Sequence, residues 1–332
     1  MNIGIIGAGN FSVKHINAIH KVSGLKVKAV CRRNSDELNK LVKLHGISGC
    51  TDYKEIIEDP SIQIVLISTP HHLHAEMAEE AASKGKHLMI EKPLASTWSG
   101  CQRIYNAAVK NDILIMPGHI GRFTPAFLEV EKYLTAEPVG TILSARATSV
   151  SLWKNQDRQP WHLQHEYGGG YLLTLGVHQI DLLCALIPAK VIKVYAKLQN
   201  SFHQDDIDDC GSAILEFENG VVANLQLIGY QLGKTKVETE LFYERGMIKV
   251  SFSEGAFYTE GENWSLLNGS NPQDWLEQGL INEWASFKQM LEGSGKARIR
   301  LGQAMHVMEI IFAIFSSSQL GQAVDILPSD YN

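Results

Sequence analysis

The sequence lacks the features that mark membrane, secreted and nucleic-acid-binding proteins. No segment reaches the run of about 18 uninterrupted apolar residues that a membrane-spanning helix requires. A formal net charge of −6 speaks against a broad nucleic-acid-binding surface. The N-terminal segment MNIGIIGAGN has no basic region, so it does not resemble a signal peptide. We therefore expect a cytoplasmic protein that binds neither nucleic acid nor a membrane.

Cysteine is also scarce, and the cysteines lie far apart in the chain. There are five of them, an odd number, and no two form a CxxC pair. This usage is typical of reduced thiols in a cytosolic protein rather than of a disulfide framework. The five are Cys31, Cys50, Cys101, Cys184 and Cys210.

The chain is long enough for two domains, and its hydrophobic pattern changes near residue 120. The 332 residues exceed what one typical core accommodates. Over residues 1–120, nearly continuous apolar strands alternate with helices, which predicts an α/β domain with a parallel, doubly wound sheet. Over residues 121–332, strands of alternating polarity are separated by turns such as Glu218-Asn219-Gly220 and Glu244-Arg245-Gly246. These predict an α+β domain with a large, mostly antiparallel sheet, one face of which is open to an oligomer partner. The C-terminal helix either stays with this domain or packs back on the first.

A glycine-rich loop follows the first predicted strand. The segment GAGNFS (7–12) supplies the first two glycines of G-x-G-x-x-G, and Ser12 stands at the third position. The first glycine permits the tight turn, the second lets the backbone approach a pyrophosphate, and the next helix begins with free N–H groups. The strand–loop–helix context predicts a Rossmann dinucleotide site, the alternative being a glycine turn that binds nothing. The predicted cofactor-binding residues of this loop are Gly7, Ala8, Gly9, Asn10 and Phe11.

The end of the second strand indicates which dinucleotide is bound. Arg32 stands where an acidic residue would hold the ribose 2′-hydroxyl of NAD. Arg32 and Arg33 could instead bind a 2′-phosphate, with Asn34 and Ser35 as further donors. This favours NADP(H) over NAD(H), unless both arginines are simply solvated at the strand end.

A strongly apolar helix is predicted after three glycines, in GGGYLLTLGVHQIDLL (168–183). With 3.6 residues per turn, Thr174, His178 and Asp181 fall on one narrow polar stripe, and the other directions are apolar. A surface helix would show a broad polar face. The pattern therefore predicts a buried helix whose polar stripe faces a group that needs polar contacts.

Several motifs occur together in a characteristic order along the chain. They are GIIGAGNF, STPHHLHAE, EKP (91–93), GHIGRF (118–123) and GGGYLLTLGVHQID (168–181). With these motifs the whole chain resembles the glucose-fructose oxidoreductase/inositol dehydrogenase/rhizopine-catabolism (Gfo/Idh/MocA) family. The resemblance implies a Rossmann domain followed by an α+β domain, and pairing through the open sheet as a homodimer or homotetramer. It also implies hydride transfer between a nicotinamide cofactor and a secondary alcohol or ketone of a sugar, cyclitol or nucleotide-sugar.

The resemblance also implies roles for individual residues. Lys92 would lie beside the nicotinamide and the reacting carbon, where its ammonium can hydrogen-bond the substrate oxygen or relay a proton. His178 would accept the substrate proton at the same carbon, and Asp181 either orients that imidazole or anchors the helix. The alternatives are a surface lysine and a core histidine. The usual aspartate of the family falls on Thr174, which cannot titrate near neutrality. The Lys–Asp–His arrangement of inositol-type dehydrogenases is therefore incomplete in this chain.

Further residues are expected around the cofactor. The matching loops of the family imply cofactor contacts by Thr69, Pro70, His71, His74, Glu91, Lys92 and Pro93, with Pro93 in a cis turn. The three histidines of HHLH also suggest a metal, but their spacing is poor for a tetrahedral site and no cysteine is near, so we predict none.

Two further groups leave alternatives open. His119 and Arg122 bind the cofactor or an anionic substrate, unless Arg122 is a structural ion-pair residue. Trp161 and His162 line a substrate pocket, or they belong to a packed lid.

Two other functions occur among relatives of this family. One is hydrolysis or elimination of a glycoside through transient oxidation by a tightly held NAD. The other is a non-enzymatic regulatory protein that binds a dinucleotide.

Overall fold

The computed structural model describes residues 1–137, 139–203, 207–295, 297–327 and 331, with the backbone alone at positions 155 and 260. These residues form two compact units. The first comprises Met1–Gly118 and Leu280–Ala304, and the second comprises His119–Gly279 and Met305–Tyr331. The units differ from the predicted domains, 1–120 and 121–332, mainly because the segment 280–304 belongs to the first unit. Its Trp284 and Phe287 side chains are fully buried.

The first unit contains a six-stranded parallel sheet. Its strands are β1 (Asn2–Ile6), β2 (Lys26–Cys31), β3 (Ser48–Cys50), β4 (Ile64–Ile67), β5 (His87–Glu91) and β6 (Ile115–Gly118), in the order β3-β2-β1-β4-β5-β6. The apolar runs of β1, β4 and β5 are buried, as strands with both faces covered should be. The predicted doubly wound parallel sheet is confirmed, whereas the short strand β3 was not predicted.

Helices alternate with these strands. They are α1 (Asn10–Ile19), α2 (Ser35–His45), α3 (Lys54–Glu58), α4 (His74–Ser83) and α5 (Trp98–Asn111). The chain passes from β1 to β2 on one side and later returns to place β4 on the other side of β1. The carboxyl ends of β1 and β4 therefore border the point where the strand order reverses, which is where open α/β sheets bind ligands.

The second unit contains a nine-stranded sheet in the order β14-β13-β12-β11-β7-β10-β9-β8-β15. Its strands are β7 (Ile142–Leu152), β8 (Val191–Gln199), β9 (Cys210–Phe217), β10 (Val222–Tyr230), β11 (Lys236–Tyr243), β12 (Gly246–Ser251), β13 (Gly255–Glu260), β14 (Asn263–Leu266) and β15 (Val324–Asp325). Only β7 and β10 pair in parallel; the other neighbours are antiparallel. The predicted mostly antiparallel sheet is confirmed.

The remaining helices are α6 (Pro125–Ala136), α7 (Val177–Leu186), α8 (Trp275–Leu291) and α9 (Leu301–Leu320). Helix α7 packs on β7, β10 and β11, and α6 packs on β12 and β13. Side chains of the strands alternate between this buried face and an exposed one, as in β9. Several large apolar side chains lie exposed in the strands: Leu143, Ile192, Tyr195, Ile214, Val222, Trp264 and Leu266.

The helix that was predicted after the three glycines is not α-helical throughout. Residues Leu172–Gly176 form a π-helical segment, and the α-helix α7 begins only at Val177. Because a π turn holds more residues than an α turn, the predicted 3.6-residue stripe does not run unbroken from Thr174 to Asp181. By length and composition the helical stretch His165–Leu186 could cross a membrane, but 78% of its most apolar window is buried inside the protein. Such burial is typical of a core helix.

Candidate functional site

The glycine loop after β1 has the backbone conformation that a nucleotide-binding turn requires. Gly7 is left-handed, with φ of 90°, and a Cβ atom there would lie 2.5 Å from the carbonyl oxygen of Ser68. At Gly9 the nearest atom to such a Cβ would be the carbonyl oxygen of Gly7, 3.9 Å away. Packing inside the protein therefore does not require glycine at position 9. A glycine there leaves room for a pyrophosphate to approach the backbone.

The first turn of α1 can also receive a negative charge. Gly9 is the N-cap residue, and it has no side chain with which to bond the first N–H groups of the helix. Asn10 is exposed and Phe11 is half-buried. Free N–H groups at a helix N-terminus favour an anion. The loop Gly7–Phe11 thus fits the pyrophosphate of a dinucleotide.

Arg32 lies against this same loop. Its Nη1 atom donates to the carbonyl oxygen of Ala8 over 3.0 Å, and its Nη2 atom lies 3.7 Å from a carboxylate oxygen of Glu37. Arg33 is exposed, and the side chain of Asn34 accepts a hydrogen bond from the backbone N–H of Glu37 at the start of α2. The guanidinium of Arg32 is thereby held at the carboxyl end of β2, next to the cofactor loop.

The motif EKP lies at the carboxyl end of β5. Glu91 is the last residue of the strand and is buried, Lys92 is half-buried, and the Lys92–Pro93 peptide is cis. A carboxylate oxygen of Glu91 lies 2.9 Å from Nε2 of His15 in α1. On the other side of that ring, Nδ1 accepts a hydrogen bond of 2.9 Å from the indole N–H of Trp284 in α8.

The loop after β4 contains the predicted cofactor residues 69–74. Thr69 and Pro70 are half-buried, whereas the side chains of His71 and His74 are buried. The ring nitrogens of His74 lie 2.9 Å from the carbonyl oxygen of Thr69 and 3.1 Å from that of Pro93. Burial lowers the pKa of His74, against the opposing effect of these carbonyls. Among the described residues, no group of three or more His, Cys, Asp or Glu side chains could hold a metal ion.

In the second unit, α7 carries His178 and Asp181. His178 is half-buried, and its ring meets that of Phe252 edge-on at 6.3 Å between centroids. Asp181 accepts hydrogen bonds from Nε and Nη2 of Arg122, and Nδ1 of His119 lies 3.5 Å from the same carboxylate oxygen. The Arg122 side chain is therefore bound in a structural ion pair, and Asp181 joins α7 to the 3₁₀ turn Ile120–Phe123.

The N-terminus of the π segment is held by Asp208. Its Oδ2 atom accepts a hydrogen bond of 2.7 Å from the backbone N–H of Leu172. Gly170 has φ of 103°, and a Cβ at this glycine would collide with Oδ1 of Asp208. Burial raises the pKa of Asp208 to about 6. Thr174, which was predicted on the polar stripe, is buried four residues beyond Gly170.

The long connection before the π segment contains Trp161 and His162. Both are half-buried, and their rings stack on each other with centroids 3.6 Å apart. The guanidinium of Arg158 lies 4.1 Å from the ring centroid of buried Trp153. Whether Trp161 and His162 contact substrate stays a prediction.

The sequence reasoning did not identify His15, Trp284 and Asp208. A signal existed for His15, because Ser12, His15, Ile16 and Ile19 follow the spacing of a buried helix face. A histidine on such a face needs a polar partner. The partners themselves are distant in sequence and left no local pattern.

Comparison with known proteins agrees with this architecture. A family model described as an oxidoreductase family with an NAD-binding Rossmann fold matches residues 1–119, and one described as a GFO/IDH/MocA C-terminal domain matches residues 127–249.

Several relatives are named as dehydrogenases. Levoglucosan dehydrogenase of Pseudarthrobacter phenanthrenivorans is 34% identical over 199 residues, which cover 56% of this chain and only 51% of that relative. Inositol 2-dehydrogenase 2 of Saccharopolyspora erythraea is 28% identical over 258 residues, or 75% of this chain and 73% of the relative. A solved structure of levoglucosan dehydrogenase with NADH and levoglucosan superposes with a TM-score of 0.88 over 99% of this chain and 100% of that one, at 24% identity. That likeness establishes a common fold.

Proposed function

This chain belongs to the Gfo/Idh/MocA family of oxidoreductases, and on that premise we propose that it transfers a hydride between a nicotinamide cofactor and a secondary alcohol or ketone. The proposed substrate is a sugar, a cyclitol or a nucleotide-sugar. Levoglucosan dehydrogenase and inositol 2-dehydrogenase, the curated relatives described above, act on compounds of this kind according to their names.

One observation carries the proposal. The loop Gly7–Phe11, the segment Thr69–His71 and Lys92 all follow the carboxyl ends of adjacent parallel strands of the first unit, β1, β4 and β5. The switch point of the sheet lies between the first two of these strands, and dinucleotides bind at such points. An amine that follows the next strand is thus at the edge where the cofactor would lie.

The proposed chemistry divides the work between cofactor and protein. The nicotinamide, when bound, supplies the hydride acceptor or donor. Lys92 donates a hydrogen bond to the substrate oxygen and stabilises the charge that develops there. His178 takes the proton of the substrate hydroxyl, or returns it in the reverse direction. Thr174 adds a hydrogen bond and no titrating group, so proton transfer falls to Lys92 and His178.

We further propose that NADP(H) is preferred over NAD(H). The position of Arg32, with its guanidinium on the carbonyl of Ala8, supports this preference, because a fixed guanidinium suits a 2′-phosphate. Exposed Arg33 is free to add a second positive charge.

The protein is proposed to pair through the exposed face of the nine-stranded sheet, as a homodimer or homotetramer. The apolar side chains of that face support this, since large apolar patches rarely remain in water. The five cysteines are free thiols, which supports the expected cytoplasmic location.

A substrate screen tests the proposed function. A panel of polyols, sugars and nucleotide-sugars is offered with NAD and with NADP, and the absorbance of the reduced nicotinamide is followed. Steady production of reduced cofactor with at least one substrate is expected. Glycoside cleavage without net cofactor reduction would instead indicate transient oxidation. Cofactor binding without any turnover across the panel would indicate a regulatory protein.

A further inference from the structure

We propose that His15 and His74 are positioning residues for Lys92, each holding one of its two chain neighbours. His15 binds the side chain of Glu91, and His74 binds the main-chain carbonyl of Pro93. This inference rests on the proposed function, because it concerns how the lysine is held for its role there. All of these groups belong to the first unit.

The hydrogen bonds of His15 fix its tautomer. The indole N–H of Trp284 can only donate, so Nδ1 of His15 must accept and carries no proton. Nε2 then carries the proton and donates it to the carboxylate of Glu91, 2.9 Å away. Because both nitrogens of the neutral ring have a fitting partner, the imidazole has one defined orientation.

The carboxylate of Glu91 needs this partner. The residue is only 9% exposed, and a buried carboxylate without hydrogen bonds is costly. The carboxylate occupies space that Gly118, its neighbour on β6, leaves open, since a Cβ atom there would lie 2.9 Å from Oε1. His15 thus fixes the residue that precedes Lys92.

His74 performs the matching task on the other side of Lys92. Its ring spans the carbonyl oxygens of Pro93 and Thr69, at 3.1 Å and 2.9 Å, and is completely buried. A neutral ring donates to one of these oxygens and an imidazolium donates to both. In either state the ring ties the turn that contains Lys92 to the loop that follows β4.

These contacts exceed what packing alone requires. An apolar side chain could fill either buried position without needing hydrogen-bond partners. The ring of His15 also meets Phe11 of the cofactor loop edge-on, with centroids 5.2 Å apart. A single buried imidazole therefore contacts both the loop proposed to bind the dinucleotide and the residue before Lys92.

Two variants of the full-length protein test the proposal. Trp284→Phe keeps an aromatic ring and removes the N–H that fixes the tautomer of His15, and His74→Leu removes both contacts to carbonyl oxygens. Leu44→Ala and His20→Leu are controls, because both side chains are exposed and lie outside the sheet face proposed for pairing. The substrate-independent measurement is competitive acetylation of lysines by acetic anhydride, quantified by mass spectrometry, with exposed Lys40 and Lys132 as internal references.

In the two variants the acetylation rate of Lys92 should approach that of the exposed lysines, with a change of about threefold or more. The reactivity of an amine depends on its surroundings, and the variants remove contacts that hold Lys92 in them. With a substrate found in the screen, kcat should fall about tenfold while KM stays within about twofold. Both controls should match the wild type. At position 15, His15→Ala should lower kcat in the same way, and His15→Gln, which keeps a side-chain N–H donor, should retain more of it.

Unchanged acetylation of Lys92 in both folded variants would overturn the proposal, even if their melting temperatures fall. Should His74→Leu fail to fold, His74→Gln, which retains one donor, replaces it. If the wild type turns over no substrate in the panel, the proposed function fails, while the acetylation rates still decide whether the two histidines position Lys92.

Discussion

Arg122 and Asp181 form an ion pair that is almost completely withdrawn from water. Nη2 and Nε of Arg122 lie 2.7 Å and 2.9 Å from the same carboxylate oxygen, and the side chains are 3% and 2% exposed. Since Asp181 is one helical turn beyond His178, the pair determines where α7 lies against the turn Ile120–Phe123. The ion pair stabilises the folded protein only while both Arg122 and Asp181 are present.

Removing one partner should therefore destabilise the protein strongly. We expect Asp181→Leu to lower the free energy of unfolding by about 3–5 kcal/mol, because the guanidinium is left buried without its counter-ion. The double variant Arg122→Met with Asp181→Leu should recover most of this loss. Denaturant unfolding of the wild type, both single variants and the double variant measures the coupling. Additive losses in the double variant would contradict a coupled pair.

Replacement of Lys92 by alanine should abolish most turnover and leave cofactor binding intact. A hydrogen-bond donor to the reacting oxygen and a proton relay each contribute about 100-fold or more to the rate. We expect kcat/KM to fall by about that factor or more, with the Kd for NADPH within about threefold of the wild type. The exposed Lys84 provides the control, as Lys84→Ala. Turnover close to wild type in Lys92→Ala would remove this lysine from the mechanism.

Arg32→Ala should reduce the preference for NADP(H). A charge-assisted hydrogen bond to a phosphate contributes about 1.5–3 kcal/mol, so NADPH should bind about 10-fold to 100-fold more weakly. NADH has no 2′-phosphate, and its Kd should change much less. Both constants can be measured from the fluorescence of the reduced nicotinamide, with exposed Lys84→Ala as the control. An unchanged ratio of the two constants would show that Arg32 does not select the cofactor.

The stability of the protein should depend on the ionisation of Asp208. Burial raises its pKa to about 6, and the neighbouring Asp209 adds to this effect. The folded state then binds a proton that the unfolded chain, with an aspartate pKa of about 3.9, has already released. The contribution of Asp208 to stability is therefore greatest below about pH 4 and is lost as the pH rises through about 6.

Asp208→Asn should remove this dependence. Relative to the wild type, the variant should gain about 2 kcal/mol in free energy of unfolding between pH 4 and pH 7. Denaturant unfolding across this range gives the difference, and exposed Asp36→Asn should show no comparable trend. A constant difference between Asp208→Asn and the wild type would mean that this carboxyl does not titrate in the range.

The parallel sheet could be predicted from the sequence because its physical signal is local. A strand such as β4, Ile64–Ile67, is buried on both faces and reads as an uninterrupted apolar run. The hairpins of the second unit were equally visible, since the turn Glu244-Arg245-Gly246 separates β11 from β12. In contrast, the parallel pairing of β7 with β10 joins strands distant in sequence, and no local pattern specifies it.

The same limit applies to the candidate site. The glycine loop was predicted because its motif is contiguous, and the roles of Lys92 and His178 were inferred from the resemblance of their motifs to those of the family. The π segment was missed because Leu172–Gly176 has an ordinary apolar composition, and the carboxylate that holds its first N–H comes from Asp208. The partner of Arg122 was likewise left open, since Asp181 is 59 residues away and only the folded chain joins them.

Because two distant chain segments form the first unit, the unit cannot finish folding until both have been synthesised. The segment Met1–Gly118 leaves the ribosome long before Leu280–Ala304 is synthesised. During translation, the ring of His15 therefore lacks its hydrogen-bond donor, the indole of Trp284. A nascent fragment that ends before residue 280 leaves that imidazole without its donor. Domains ordinarily complete their folding in the order of synthesis. Here the core of Met1–Gly118 is completed only after Leu280–Ala304 has been made, and a fragment that ends at residue 118 has an incomplete core.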